Sequence, residues 1–322
     1  MKKTAIRMAA LLLCICICAV SAYGAEYLIP VGQVIGLALS DSTVTVAAFD
    51  DTLGINAKAA GVCAGDQILA IDGKSITSAE DVRQALRCSK GTITLQLQRK
   101  GKTQTLKLTP EITADGPKLG IFLKEGVTGI GTVTWYNPQT KAFGTLGHGV
   151  SGNNGQILKL VSGSAYDAKV VSVQKGKTGK PGQLRGALSS KEPLGSLTAN
   201  TNRGLFGSTD TGWQGQALPV AASDEIKTGP ATILSTVAGN AVQEYSVEIL
   251  KIYPQTKSGD KNMVIRITDR ELLEATGGIV QGMSGSPIIQ DGKLIGAVTH
   301  VLVNDPTRGY GIFIENMLDA AG

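Results

Sequence analysis

The chain has 322 residues, long enough for two domains that each bury a core. Glycine is frequent at 41 residues, aromatics make up 4%, and the apolar residues are mostly Val, Ile, Leu and Ala, which suits β-structure with many tight turns better than a helical bundle. The net charge of +5 is small and scattered; its densest basic stretch, "KGKTGKPGQLR", is rich in Gly and Pro and lacks aromatics, which marks a solvated loop and not a nucleic-acid surface.

The first 24 residues begin with Lys2, Lys3 and Arg7 and continue in an apolar run from Met8 to Val20, followed by small residues. That order predicts a secretory signal, cleaved after Ala22 or Gly24 or kept as a membrane anchor, and an exported body. Cys14, Cys16 and Cys18 fall in this segment. Cys63 and Cys88 remain, too few for a disulfide framework or a cysteine metal site; one disulfide and two buried free thiols both fit.

Residues 27–110 form a compact mixed pattern. "TVTVAAF" alternates as a strand, a short helical turn follows near Asn56, and "QILAI" is a strand closed by Asp72-Gly73. Residues 78–88 read as a helix with a Ser78 cap and an apolar face of Val82, Ala85 and Leu86. "TITLQLQR" and "TQTLKL" pair as a hairpin. "AAGVCAGDQILAIDGKSI" before that helix resembles the PDZ domains of secreted bacterial proteases. The resemblance implies binding of an extended peptide at a sheet edge, its carboxylate held by a glycine-containing loop. Ile35, Gly36 and Leu37 in "QVIGLALS" are the expected loop, and residues 111–120 the linker that follows.

Residues 121–322 are short strands separated by Gly, Asn, Pro and Asp turns. Hairpins turn at Asn137-Pro138, near Ser258-Gly259-Asp260, and at Asp291-Gly292, and only 268–276 reads as a helix. This predicts an antiparallel barrel or sandwich.

The chain has two histidines, His148 and His300, and no metal-binding spacing, so neither metal nor other cofactor is expected. The remaining chemistry is a nucleophile activated by a base. In "GMSGSP", Gly282 and Gly285 let the backbone turn sharply around Ser284, and the N–H groups of Gly282 and Ser284 are the expected oxyanion donors. Ser286, directly before Pro287, is the rival nucleophile. His148 in "GTLGHGV" has glycine on both sides and is the expected base, whereas His300 lies inside the apolar strand "GAVTHVLV" as a core or pocket-wall residue. Residues 294–300 should border the specificity pocket, with Gly296 and Ala297 leaving room. Asp167, Asp210, Asp224, Asp260 and Asp269 all lie between base and nucleophile, and Asp269 also fits a helix cap.

"GTLGHG" together with "GMSGSPIIQDGKLIGAVTHVLVNDPTRGYGIFIENML", behind a PDZ-like region and an N-terminal apolar segment, resembles the SpoIVB-type peptidases of endospore formers. The resemblance implies a chymotrypsin-like antiparallel double β-barrel at 121–322, with Ser284 as nucleophile, His148 as base and Asp269 as acid. It also implies export to the space between the forespore and mother-cell membranes. There the enzyme would process itself and cut the extracytoplasmic part of a membrane complex that restrains an intramembrane protease, releasing a late sigma factor. A secreted PDZ adaptor with a non-catalytic barrel is the alternative reading.

Overall fold

The computed structural model describes residues 26–152, 155–253 and 259–322; the expected signal segment and Ser258 of the expected turn lie outside them. Strand β1 (Tyr27–Pro30) leads into β2 (Val34–Phe49), sixteen residues long and shared between two cores. Its first half buries Ile35, Leu37 and Leu39 with Val133, Phe143 and Leu205. Its second half buries Val44 and Val46 with Ile68, Leu95 and Leu97.

The chain then builds the small α+β unit: α1 (Ile55–Ala59), β3 (Gln67–Ile71), β4 (Lys74–Ser75), α2 (Ala79–Cys88), β5 (Ile93–Arg99), β6 (Lys102–Leu108), β7 (Glu111–Thr113) and β8 (Gly116–Lys118). Helix α2 starts at a full capping box, Ser78 with Asp81, and buries Val82, Ala85 and Leu86. Asp66, at 0% exposed, is tied to Arg99 at 2.6 Å and accepts the Cys63 N–H at 2.8 Å, which satisfies a carboxylate the core would otherwise reject. Cys63 and Cys88 are free and exposed, so neither is the buried thiol the sequence allowed.

Strand β9 (Ile121–Tyr136) returns antiparallel to β2, Ile121 opposite Phe49 and Thr132 opposite Val34. The small α+β unit is therefore inserted between two barrel strands and does not precede the barrel. The expected boundaries are corrected accordingly: Ile29, Val31, Ile35, Leu37 and Leu39 pack in the barrel core, and 111–118 forms the β7–β8 hairpin beside α2 instead of a linker.

Strands β10 (Ala142–Thr145), β11 (Ser162–Gln174), β12 (Gln183–Thr201) and β13 (Gly204–Ser208) complete the first barrel. Because β2 pairs with both β9 and β11, the ring β2-β9-β10-β13-β12-β11 closes without an edge. A short β14 (Leu218–Pro219) pairs with β1. The second closed barrel is β15 (Gly229–Ser235), β16 (Gln243–Ile252), β17 (Met263–Ile267), β20 (Asp305–Phe313), β19 (Lys293–Leu302) and β18 (Pro287–Gln290), in that order. Helix α3 (Arg270–Thr276) joins β17 to β18, and α4 (Ile314–Ala321) ends the chain. Sequence periodicity missed α4, a two-turn helix that starts directly off a strand. Its Ile314 and Met317 pack with Leu28, Trp135 and Phe206, so it pins one barrel to the other. Burying Met317 fully contributes about 1.5–3 kcal/mol to that contact.

Candidate active site

His148 is delivered to the junction of the barrels by an unusual turn. After β10 the backbone passes through Leu146 at φ 70 and Gly147 at φ 68, with Gly147 N–H donating to the Thr145 carbonyl at 2.9 Å. A leucine in that region costs about 1–2 kcal/mol, offset here by burial of its side chain (5% exposed) and by the Leu146 N–H bond to the Thr132 carbonyl at 3.4 Å. A side chain at Gly147 would press on Ile312 and Thr299 at 2.9 Å. His148 Nδ1 lies 3.0 Å from the Gly149 carbonyl, which holds the ring proton there and leaves Nε2 as the acceptor. Burial pushes the His148 pKa below 6.5, against weaker support from the Gly149 carbonyl and the Asp260 charge.

Ser284 sits on the loop between α3 and β18, and β9 braces that loop from behind. Thr132 N–H donates to the Ser284 carbonyl at 3.0 Å, and the Thr132 and Thr134 hydroxyls donate to the Gly282 and Gly285 carbonyls at 2.8 Å each. With the carbonyls held, the N–H groups of Gly282 and Ser284 make no hydrogen bond among the described residues. They are the two donors singled out in the sequence. Gly282 and Gly285 have φ of 101 and 97, and a Cβ on Gly285 would lie 1.9 Å from the Thr132 carbonyl oxygen. The Ser284 hydroxyl donates to the Thr299 carbonyl at 2.6 Å and not to His148. Ser286 is fully buried and donates to the Ser235 hydroxyl at 3.0 Å, which makes it a core residue.

The cleft that holds Ser284 and His148 has a volume of about 650 Å³ and walls from both barrels, including Leu37, Ile130, Val280 and Val301. Among the described residues its only titratable lining groups are His148 and His300. The two imidazoles pack with ring centroids 4.7 Å apart, and His300 Nδ1 faces the Asp260 carboxylate at 3.8 Å. Of residues 294–300 only Thr299 and His300 reach the cleft; Gly296 and Ala297 are corrected to barrel positions, since a Cβ on Gly296 would meet the Ile312 carbonyl at 2.0 Å.

Asp269 stands elsewhere. Its carboxylate caps α3, accepting the Leu272 N–H at 3.0 Å and the Ser246 N–H at 3.3 Å, beyond the end of β17 opposite to Asp260. Five residues of strand separate those ends, about 17 Å. Asp269, the acid that the resemblance implies, is also the cap of α3, the second role its position in the sequence allowed.

A second groove lies in the inserted unit, between α2 and the start of β9. It has a volume of about 480 Å³ and is lined by Val82, Arg83, Leu86, Gly120, Ile121 and Phe122. Ile35, Gly36 and Leu37, expected as the peptide loop, instead lie mid-strand in the barrel, paired on one side with Gly131, Ile130 and Gly129 and on the other with Asp167, Tyr166 and Ala165. No strand can add there. A Cβ on Gly36 would meet only the tip of the exposed Leu188 side chain, at 2.4 Å. The glycine turn before β9, "KLGIF", carries the signal the sequence reading passed over. Gly120 has φ 63, and a Cβ there would lie 2.0 Å from the Leu53 backbone.

Two closed antiparallel barrels with a serine on one and an imidazole on the other define a chymotrypsin-like serine peptidase architecture. The family model for SpoIVB peptidase S55 matches residues 116–318 and a PDZ-domain model matches residues 54–99. The chain belongs to the SpoIVB peptidase S55 family. It is also similar to a putative zinc metalloprotease of Rhizobium meliloti, 36% identical over 101 residues (31% of this chain, 26% of the relative), and to one of Agrobacterium fabrum, 32% identical over 119 residues (33% and 32%). The chain thus spans about a quarter to a third of those relatives' length. Among solved structures, the active form of the Rv3671c protease from M. tuberculosis is similar at 16% identity and TM-score 0.38, covering 61% of this chain and 75% of that one. A PDZ domain of an SdrC-like protein from Listeria monocytogenes is similar at 25% identity and TM-score 0.22, covering 25% of this chain and 85% of that one.

Proposed function

We propose that the chain is an exported, self-processing serine endopeptidase in which Ser284 is the nucleophile and His148 the base. The observation that carries this reading is the pair of unbonded N–H groups at Gly282 and Ser284, beside a serine and an imidazole in one cleft. The Ser284 hydroxyl turns from the Thr299 carbonyl to His148 Nε2, gives up its proton there, and its oxygen adds to the substrate carbonyl carbon. The oxyanion forms against the two N–H groups. His148 passes the proton to the leaving amine as the C–N bond breaks, and water then hydrolyses the ester by the reverse proton route. Substrate binds extended along β19: β18 pairs with β19 only as far as Ala297, which leaves the edge beyond Val298 unpaired beside Ser284.

By the family resemblance, the substrates are the chain itself and the extracytoplasmic part of a membrane complex that restrains an intramembrane protease. Its cleavage would activate a late sigma factor in sporulation. The PDZ groove between α2 and β9 takes a peptide C-terminus and holds such a substrate, or the enzyme's own processed segment. Ser284→Ala should abolish self-cleavage and peptide hydrolysis while leaving the melting temperature unchanged; undiminished processing in that variant would sink the reading. An adaptor with a dead barrel would show no acylation of the wild type.

A further inference from the structure

The geometry points to a single substrate strand that pairs along β9 from the groove at Gly120 to the nucleophile, so that a chain held there by its C-terminus is cut about 10–12 residues before that end. This rests on the peptidase reading and on the groove as a site for a peptide C-terminus, and it joins the two.

Three observations converge on β9. First, one unbroken strand borders both sites. Gly120, Ile121 and Phe122 line the groove beside α2, and Val127, Gly129 and Ile130 line the catalytic cleft. Two residues on, Thr132 N–H donates to the Ser284 carbonyl at 3.0 Å. Second, the outer edge of β9 is open over that whole distance. β2 pairs with one side of β9 from Ile121 to Thr132, whereas β10 pairs with the other side only from Val133 onward. Val133 N–H donates to the Gln33 carbonyl on the β2 side and Thr132 N–H points the opposite way, so the N–H and C=O of Ile130 and Thr128 face the open edge. Among the described residues no hydrogen bond satisfies those groups. An open edge of this length is a template for an added strand.

Third, the polarity is right. A strand that adds antiparallel to β9, with its carboxylate at the Gly120 turn, runs towards its own N-terminus as β9 advances to Thr132. The residues after the cut therefore lie on β9. The chemistry requires the same order: His148 follows β10 in the first barrel and protonates the leaving amine, whereas β19 in the second barrel takes the residues before the cut. With the last substrate residue opposite Ile121, the residue opposite Ile130 lies nine positions earlier, about 30 Å along the strand. The scissile bond falls one to three residues beyond it, at Ser284, and the bend at Gly126 (φ 66), where the register against β2 shifts, sets that spread. Val82, Leu86 and Ile121 in the groove select an apolar last residue. Leu37, Leu39 and Val127 in the cleft favour apolar residues just after the cut.

The test offers the full-length enzyme two pools of random peptides, about 24 residues long to exceed this span twofold, that end in valine as the free acid or as the amide. Cut sites are mapped by mass spectrometry. Cuts in the free-acid pool should concentrate about 10–12 residues before the C-terminus, and the amide pool should show no such peak and react at least about tenfold more slowly below saturation. Thr128→Pro deletes one N–H of the open edge and keeps the pairing with β2, so it should flatten the peak. Cut sites that are the same in both pools, or a peak unmoved in Thr128→Pro, overturn the inference while the peptidase reading stands. No cleavage of either pool, or cleavage that survives Ser284→Ala, overturns the peptidase reading itself and this inference with it.

Discussion

Gly285→Ala tests the bracing of the nucleophile loop most sharply. Alanine at φ 97 brings backbone strain of about 1–2 kcal/mol. Its Cβ would lie 1.9 Å from the Thr132 oxygen and 2.6 Å from the Leu146 nitrogen, both main-chain atoms of the scaffold behind the site. Such overpacking costs about 1–3 kcal/mol, so the sum is about 2–5 kcal/mol. For a domain of this size that lowers Tm by about 4–20 °C. The contact must open by about 1 Å, and a shift of that size at a catalytic group costs about 10²-fold in rate. Thermal melts by circular dichroism, and acylation rates measured well below the variant's Tm, give both numbers. Gly292→Ala is the control: its φ is 73 but no atom lies within 4 Å, so it should lose only the strain and keep its acylation rate. A Gly285→Ala protein that melts within 2 °C of wild type and acylates at the wild-type rate would refute the bracing argument.

Ser286→Ala should leave acylation intact and cost about 1–3 kcal/mol in a urea titration, because it strands the buried Ser235 hydroxyl; loss of labelling would revive Ser286 as nucleophile. The acid limb of kcat/KM should fall below pH 6.5, since burial depresses the His148 pKa and the base must be neutral. Both histidines bind protons less readily folded than unfolded, so their contribution to stability is complete above pH 6.5 and declines as the pH drops from 6.5 towards 4. Urea midpoints for wild type and His300→Gln across that range should converge at low pH; a wild-type midpoint that rises on acidification contradicts the burial argument. For the PDZ groove, a peptide with a free C-terminal carboxylate and an apolar last residue should bind at least about tenfold tighter than its amidated form by fluorescence anisotropy. Equal affinities would place the peptide elsewhere.

Ser284 and His148 could be read from the sequence because each carries its own local signature. The flanking glycines have positive φ at Gly147, Gly282 and Gly285, and that freedom leaves a visible trace in composition. The acid leaves no such trace. A carboxylate before a helix reads equally well as a cap, which Asp269 also is. The PDZ boundary was obscured for a different reason. β2 runs unbroken from one core into the next, with only Ser40, Asp41, Ser42 and Thr43 as a polar interval, and its register against β9 shifts there between Leu39 and Val44. Insertion of one domain within a hairpin of another is a property of pairing, and pairing is not written in either strand alone. Gly36 looked like a loop glycine, although it lies mid-strand between Ile130 and Tyr166.

The most direct test is to treat the full chain with a fluorophosphonate and map the adduct by peptide mass spectrometry. The adduct should fall on Ser284, vanish in Ser284→Ala, drop by several orders of magnitude in His148→Ala, and persist in Ser286→Ala. An adduct on another serine, or none on the folded wild type, would contradict the assignment of Ser284 and His148 as a catalytic pair.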